Sequence, residues 1–278
     1  MDNTYVSTSL NPGFPPPSGF DIIGSCRGFL LLNNIFEYLY IWNPSTNVRK
    51  VLPSSPIVAS NPHMPGLYGT TLYGFGYDPS KDDYLVVLAT HDPALDHSID
   101  FTNICFELFS LRANAWKQFE VTDLPYNVFG GTSFGTLLNW ILHWLAYRPD
   151  AIVILAFDLV ERKFSEVCLP DDFNPEGRFC DLCVLGGFLS LSIAEGDTTE
   201  IWVMEKYNEQ SSWTKSFALS NNDLPSPSQH FSPIFSTKSG DIVGFNGRAR
   251  LVKCNANGQL LEHCSYRDDP RGFGGGYV

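Results

Sequence analysis

The chain has 278 residues, of which 44% are hydrophobic and 14% aromatic, so it is long enough to bury a sizeable core. Its 30 acidic residues outnumber 18 Lys and Arg, and the net charge of −12 repels phosphate backbones, which argues against a nucleic-acid partner. The apolar runs are far shorter than the ~20 residues of a spanning helix, so we expect no membrane partner. The N-terminus lacks the pattern of a secretory signal, and the seven cysteines are irregularly spaced. These features predict a protein of the cytoplasm, the nucleus or both, with reduced thiols.

The first module sets the pattern for the rest of the chain. A glycine turn is predicted over 24–28, followed by strands over 29–32, 38–42 and 48–52. The turn at 43–47 separates the last two strands, because Asn bonds its own backbone there and Pro has no N–H to donate to a sheet. Such a module carries architecture and no chemistry of its own.

Four further modules of short strands, separated by Gly, Pro, Asn and Asp turns, follow in order. Their strands are predicted over 72–77, 84–90, 104–111 and 116–121; 137–147, 152–159 and 164–169; 179–185, 188–193, 201–205 and 213–219; and 233–237, 242–245, 250–254 and 260–266. The run 137–147 also fits helical spacing through Trp140 and Trp144, but the turn and strand that follow it favour strands.

Aligned strand positions of the five modules recur along the chain, with a longer first separation where Pro-rich and His-containing loops intervene. Successive separations are 67, 47, 46 and 50 residues, measured between corresponding positions: Ile41, Leu108, Leu155, Ile201 and Leu251. A period of about 45 residues with four strands each is typical of propeller blades. The sequence therefore predicts an all-β, propeller-like array of about five four-stranded modules over residues 22–266. Residues 1–21 are predicted to be an irregular, Pro-rich leader, and residues 267–278 a flexible, Gly-rich tail.

Three tryptophans are predicted to lie between the sheets, namely Trp42, Trp116 and Trp213. A buried indole removes on the order of 150–250 Å² of surface from water. That burial explains tryptophan at these positions without any ligand.

Several short motifs, in order and spacing, resemble the plant F-box-associated interaction domain. They are GSCRGFL (24–30), WNPST (42–46), GFGYDP (74–79), LHWLA (142–146), ILAFD (154–158), LGG (185–187), IWVM (201–204) and SWTK (212–215). The resemblance covers about residues 22–264. Two positions differ from the family pattern: Arg27 stands where the family often has Asn, and Trp140 where Gly is common.

The resemblance implies a kelch-type propeller that captures a protein substrate for a Skp1-cullin-F-box (SCF) ubiquitin ligase, with neither enzymatic activity nor a cofactor. Members of the family usually carry an N-terminal F-box, a short helical motif that docks on the Skp1-type adaptor. Residues 1–21 are too short and too Pro-rich to form these helices. We therefore expect adaptor binding only where an F-box is supplied.

Two groups of residues have side chains that bind metals elsewhere. Cys180 and Cys183 form a lone Cys-x-x-Cys, but zinc needs a second ligand pair, and residues i and i+3 of a strand point to opposite faces. Two histidines, His91 and His97, share a polar insertion with three aspartates. Histidines on a solvated loop are more often only polar, so no metal site is predicted.

The alternative function is that of a propeller-fold glycoside hydrolase, which would place a pair of carboxylates at the axial mouth. The candidates by position are Asp78, Asp158 and Asp241. Each lies at a turn or strand end, where Asp serves as a turn former. The sequence therefore favours a structural role for all three.

Partner-binding residues are expected on the long connections, because loops on a rigid scaffold carry function. The connections are 64–68, 91–98, 126–129 and 173–178. The predicted partner-binding residues are Tyr68, His91, His97, Tyr126, Phe129, Phe173 and Arg178. Tyrosine and arginine among them are types enriched in interface hot spots.

Overall fold

The architecture is an all-β propeller fold built from five sheets, or blades, each a four-stranded antiparallel meander. The computed structural model describes residues 20–34, 38–56, 72–91, 104–119, 126–128, 134–148, 151–171, 173, 178–226, 230–247 and 250–265. Within these residues, no helix is long and apolar enough to cross a membrane. The predicted fold class is confirmed.

The first of two compact units, residues 1–165, contains blades 1 to 3. Blade 1 consists of β1 (Phe20–Cys26), β2 (Phe29–Asn34), β3 (Leu39–Asn43) and β4 (Val48–Val51), and blade 2 of β5 (Leu72–Asp78), β6 (Asp83–His91), β7 (Ile104–Ser110) and β8 (Ala115–Phe119). Blade 3 consists of β9 (Asn127–Val128), β10 (Thr136–Leu138), β11 (Ile141–Arg148), β12 (Ala151–Asp158) and β13 (Lys163–Val167), in which the unit boundary falls. β9 and β10 pair with successive parts of β11 and together form the first strand of this blade.

The second unit, residues 166–278, contains blades 4 and 5. Their strands are β14 (Phe179–Leu185), β15 (Phe188–Glu195), β16 (Thr198–Met204) and β17 (Trp213–Ser220), then β18 (Phe231–Ser236), β19 (Ile242–Asn246), β20 (Arg250–Cys254) and β21 (Leu260–Ser265). Short 3₁₀ helices, Gln210–Ser212 and Asn221–Asp223, flank β17. The core of this unit joins Phe217 and Leu219 of blade 4 to Phe231 and Val252 of blade 5.

The repeat deduced from the sequence is present in the structure. The five aligned positions all fall on the third strand of a blade, β3, β7, β12, β16 and β20. The run 137–147 forms two strands and a turn, with Asn139 and Trp140 in the turn.

The predicted turn over 24–28 is wrong for its first three residues. They belong to β1, and only Arg27 and Gly28 form the turn. Gly24 lies within β1, and its lack of a side chain permits a close approach to β5, because a Cβ there would lie 3.3 Å from the Cβ of Phe75. β1 begins at Phe20, two residues before the predicted start of the domain. Residues 1–19 and the tail 267–278 lie outside the described residues.

Strand β5 is buried along its whole length, since all seven of its residues are buried. It packs against β1 of blade 1 and against β10 and β11 of blade 3. Trp144 of β11 lies against it, and its indole Nε1 donates to the carbonyl oxygen of Tyr73 at 2.8 Å. The same oxygen accepts the amide N–H of Gly135 at 2.7 Å.

The two faces of blade 2 take part in two separate cores, as strand alternation requires. On one face, Leu85 and Val87 pack with Leu142 and Trp144 of blade 3. On the other, Val86 and Leu88 pack with residues of blade 1 that include Leu31 and Ile41. Each fully buried aliphatic side chain contributes about 1.5–3 kcal/mol relative to exposure. Blade 2 therefore holds the unit together from its centre.

The three tryptophans are satisfied without a ligand, as the sequence predicts. Trp42 and Trp213 are buried, and Trp116 is half-buried. The Trp116 Nε1 donates to the carbonyl oxygen of Pro53 at 2.7 Å, and the Trp213 Nε1 donates to that of Cys168 at 2.8 Å. Both acceptors follow the last strand of the preceding blade. The bond from Trp116 therefore helps to fix where blade 1 leads into blade 2.

A methyl group added at Gly74 of β5 is expected to lower the free energy of unfolding by about 1–3 kcal/mol. Its Cβ would lie 2.4 Å from Leu142 Cδ1 and 2.9 Å from Trp144 Cζ2, inside a packed core. Urea denaturation of Gly74→Ala measures the loss. Gly24→Ala is the matched control, because its Cβ meets only Phe75 and at 3.3 Å. Equal stabilities for the two variants would contradict the close packing of β5.

Candidate interaction surface

Each blade has two unlike ends. At one end, here called the turn end, strand 1 turns into strand 2 and strand 3 into strand 4 through connections of two to four residues in blades 1 to 3. The other end, the loop end, carries the connection from strand 2 to strand 3 and the connections between blades. Seven turn-end residues of blades 1 to 3 adopt left-handed φ angles although they are not glycine. They are Arg27, Asn47, Asp82, Asn114, Asn139, Trp140 and Arg162.

The predicted partner-binding residues that the structure describes lie at the loop ends. Tyr68, His97 and Phe129 lie outside the described residues, and His91 is the last residue of β6. Tyr126 is half-buried and packs against the core between blades 2 and 3. Phe173, on the connection from blade 3 to blade 4, is half-buried too.

Arg178 is the predicted residue with a defined ionic partner. Its Nη2 lies 2.8 Å from Oε2 of Glu195, at the loop end of blade 4. An arginine in an exposed ion pair is held in place at little net gain in free energy. Partner binding by the seven residues stays a prediction.

The structure also brings together a group of side chains at the turn end of the first unit, here called the Tyr77 cluster. It consists of Arg27, Tyr77, Asp82, Tyr84 and Trp140. The Arg27 guanidinium carbon lies 4.0 Å from the centre of the Tyr77 ring, within cation–π range. The Tyr77 ring centre lies 5.9 Å from that of Trp140 and 5.1 Å from that of Tyr84. Three blades thus meet on one tyrosine.

Local backbone geometry explains why these side chains converge. Tyr77 is the penultimate residue of β5, and it is buried. Arg27 and Trp140 occupy the β1–β2 and β10–β11 turns, with φ of 48° and 67°. A left-handed φ is uncommon for a bulky residue and strains the backbone. Trp140 is nevertheless 39% exposed, so the strained turn presents an aromatic residue at the surface.

Hydrogen bonds and charge fix the cluster. The Tyr77 hydroxyl donates to Oδ1 of Asp82, and this bond raises the pKa of Tyr77, because deprotonation would set two negative charges side by side. Tyr77 therefore stays neutral at physiological pH. The Arg27 cation above the ring opposes this shift only in part.

Asp78, the last residue of β5, joins blade 2 to blade 3. Its side chain is fully buried, and its Oδ2 accepts a hydrogen bond from Nη2 of Arg162 at 2.7 Å. Its Oδ1 accepts the amide N–H of Ser80 at 2.9 Å and the Ser80 hydroxyl at 2.6 Å. Burial alone raises the pKa of Asp78, but the bonds from Ser80 and the charges of Arg162 and Lys81 outweigh it and lower the pKa. Asp78 is therefore ionised and serves as a structural contact.

The other two carboxylates proposed for hydrolysis also form turns. Oδ1 of Asp158 accepts the amide N–H groups of Val160 at 2.7 Å and Glu161 at 2.9 Å. Oδ2 of Asp241 accepts the Ser239 hydroxyl at 2.8 Å and lies 3.2 Å from Nζ of Lys253. These contacts agree with the turn-forming role that the sequence predicts.

Buried thiols and histidine are equally structural. Cys180 and Cys183 are buried on β14, and burial raises the pKa of both thiols, that of Cys180 to about 11. Such thiols are protonated and unreactive at neutral pH. His143 is fully buried in β11, where burial lowers its pKa to about 4 and leaves it neutral, with Nδ1 3.1 Å from the carbonyl oxygen of Thr136. No group of three potential metal ligands occurs among the residues that the structure describes.

An open depression of about 670 Å³ adjoins the Tyr77 cluster and lies between the two turns of blade 2. Its lining comprises Pro79, Ser80, Lys81, Asp82, Asp83, Ser110, Arg112 and Ala113. Asp83 is buried, and its carboxylate accepts the Ser110 hydroxyl and the amide N–H of Arg112, the latter at 2.8 Å. Asp82 lines the depression and also accepts the hydrogen bond from the Tyr77 hydroxyl. The depression and the Tyr77 cluster therefore form one surface.

Comparison with known proteins identifies the family. The model of the F-box associated beta propeller domain matches residues 8–256. The chain belongs to this family. The F-box protein CPR1 of Arabidopsis thaliana is 29% identical over 275 residues, which cover 91% of this chain and 65% of CPR1. A second Arabidopsis F-box protein is 26% identical over 257 residues, covering 87% of this chain and 63% of its own length. This F-box associated domain thus spans just under two thirds of these two relatives.

A solved structure confirms the fold alone. The complex of KlAtg21 with the coiled coil of AgAtg16 matches with a TM-score of 0.53 at 8% sequence identity. The match covers 90% of this chain and 72% of the solved chain.

Two variants of Asp158 distinguish a turn-forming carboxylate from a hydrolytic one. Asp158→Ala removes the acceptor for two backbone N–H groups and is expected to destabilise the protein by about 1–2 kcal/mol. Asp158→Asn keeps the Oδ1 acceptor and is expected to lose less than half of that, as measured by urea denaturation. Both variants and the wild type should leave a panel of aryl glycosides unhydrolysed. Turnover that disappears in Asp158→Asn would contradict the structural role.

Proposed function

We propose that this F-box associated domain is the substrate-recognition part of an SCF-type ubiquitin ligase and works inside the cell. It captures a protein substrate, while contact with a Skp1-type adaptor belongs to an F-box. The observation that carries the proposal is the Tyr77 cluster, on a domain whose curated relatives are F-box proteins.

The composition of the cluster suits protein recognition. Trp, Tyr and Arg are the side chains most enriched in interface hot spots. Arg27 and Trp140 are both exposed and both rest on a buried tyrosine. A partner would therefore meet side chains that are already ordered, which reduces the entropy lost on binding.

The short connections of the turn end support the same conclusion. Asp78 and Arg162 join the turns of blades 2 and 3, and Arg27 reaches blade 2 from blade 1. Binding residues on a rigid scaffold keep their geometry when a partner arrives. By contrast, the hydrolase alternative gains no support from the three carboxylates, which form turns.

The test uses a variant that keeps the fold and removes the two exposed side chains of the Tyr77 cluster, those of Arg27 and Trp140. Trp140→Gly combined with Arg27→Asn is expected to fold, because glycine adopts a φ of 67° without strain and Asn tolerates the left-handed region. Tagged wild-type and variant chains, each fused to an F-box, are expressed in plant cells with a proteasome inhibitor. We expect ubiquitinated proteins to co-purify with the wild type. The amount of these proteins recovered with the variant should be at least fivefold lower.

The matched control changes the loop ends instead. Phe173→Ala with Arg178→Ala tests the competing prediction that the loop ends bind the partner. If the turn end is the recognition surface, this variant should retain the same proteins, and melting temperatures check that both variants fold. The proposal is wrong if no co-purifying protein becomes more ubiquitinated when the fused F-box is present than when it is absent.

A further inference from the structure

We propose that the turn end of blade 2 binds an acidic, extended segment of the partner protein. The proposal rests on the proposed function and names the chemistry of the substrate segment. The site consists of the depression between Lys81 and Arg112 together with Arg27 and Trp140 of the Tyr77 cluster.

The first argument is the distribution of charge. The whole chain has a net charge of −12, yet the turn end of the first unit carries five cations: Arg27, Lys81, Arg112, Arg162 and Lys163. Five carboxylates lie among them, and all are engaged by the protein itself. Glu161 pairs with Lys163 at 3.3 Å and Asp78 pairs with Arg162 at 2.7 Å, so the cations left for a ligand are Arg27, Lys81 and Arg112. Asp78 and Asp83 are buried with hydrogen-bond donors, and Asp158 accepts two backbone N–H groups. The exposed Asp82 accepts the Tyr77 hydroxyl.

The second argument is that the two cations of the depression remain available. Nζ of Lys81 lies 4.0 Å from Oδ2 of Asp78, at the outer limit of an ion pair, and its side chain is 61% exposed. Arg112 is exposed, and its Nη1 donates to the carbonyl oxygen of Lys81 at 3.1 Å. That bond orients the guanidinium and leaves further N–H donors for a ligand. Across the described part of the chain, Arg112 forms no ion pair.

The third argument is shape. The depression is open and lies between two turns, so it admits side chains of an extended segment and not a deeply enclosed small molecule. Asp82 links it to the ring of Tyr77, above which Arg27 lies. A carboxylate between Lys81 and Arg112 would therefore have Arg27 and the exposed Trp140 ring as neighbours for the next residues.

The overall negative charge of the chain means that nonspecific attraction would not explain binding of an acidic peptide. A surface of net charge −12 repels an acidic peptide at long range, so binding of such a peptide requires a local basic site. The attraction at exposed charges is also screened by salt, with a Debye length of about 10 Å at 0.1 M. Affinity should accordingly fall as the salt concentration rises.

The test measures fluorescence anisotropy of a labelled twelve-residue peptide of alternating Glu and Asp with one central Trp. A matched peptide replaces every Glu by Gln and every Asp by Asn. We expect the acidic peptide to bind at least tenfold more tightly than the amide peptide at 50 mM NaCl, and its affinity to fall at least fivefold at 300 mM NaCl.

The matched variants separate a local site from a general charge effect. Lys81→Glu with Arg112→Glu is expected to weaken binding more than tenfold. Lys206→Glu with Lys238→Glu changes the net charge equally at exposed positions of the second unit and should weaken it less than twofold. Lys81→Gln with Arg112→Gln serves if charge reversal lowers the melting temperature.

Three results would overturn the proposal: no binding of the acidic peptide, equal binding of the amide peptide, or equal loss in the two charge-reversed variants. A single-stranded oligonucleotide that competes with the peptide at equal concentration would also contradict it. If the acidic peptide does not bind but ubiquitinated partners are still lost with the Trp140→Gly and Arg27→Asn variant, the recognition function stands and the acidic-segment inference fails.

Discussion

The close approach of blade 3 to strand β5 is the constraint on which the rest of the first unit depends. β5 is buried along its whole length, and a Cβ at Gly74 or Gly76 would come within 2.4 Å of a leucine methyl of blade 3. At Gly74 the space is filled by Leu142 and by Trp144, whose indole also donates to the Tyr73 carbonyl, and at Gly76 it is filled by Leu137 and Leu159. Because β5 is fixed from both sides, its last two residues, Tyr77 and Asp78, are fixed as well.

Those two residues convert a packing constraint into a surface. Asp78 holds Arg162 of blade 3, and Tyr77 supports Arg27 of blade 1 and Trp140 of blade 3. The left-handed φ angles of Arg27 and Trp140 are the less favourable part of this arrangement. Their side chains pack on the Tyr77 ring, and this packing offsets the cost of the strained backbone. An arginine and a tryptophan are thereby left exposed. Local strain is thus tolerated where an arginine and a tryptophan are held exposed on a buried tyrosine.

Much of the fold can be predicted from the sequence because it repeats. Alternating apolar residues, turn-forming Asn, Asp, Gly and Pro, and the interval between third strands together specify five four-stranded blades. Strand β1 was harder to predict, because Gly24 has the usual signature of a turn and its actual reason, the approach of Phe75, is a long-range contact. The position of the buried Trp144 is likewise explained only by Gly74 and Gly135, whose lack of side chains leaves room for its indole.

The candidate surface is less predictable, and for a physical reason. Residues 27, 77 and 140 are far apart in sequence and come together only when three blades pack. Long loops suggest themselves as binding sites because loops vary and are exposed, whereas short turns look like mere connections. The available signal was that Arg27 and Trp140 depart from the family pattern at two turns, and the structure shows that both contact the same tyrosine.

Hydrogen–deuterium exchange on the domain, alone and bound to a captured substrate, tests the central claim most directly. If the turn end of the first unit is the recognition surface, bound substrate should slow exchange at the turns around residues 27, 80, 112 and 140. Exchange at the loop ends, around Tyr126, Phe173 and Arg178, should be unchanged. Slower exchange confined to the loop ends would contradict the account and return recognition to the long connections.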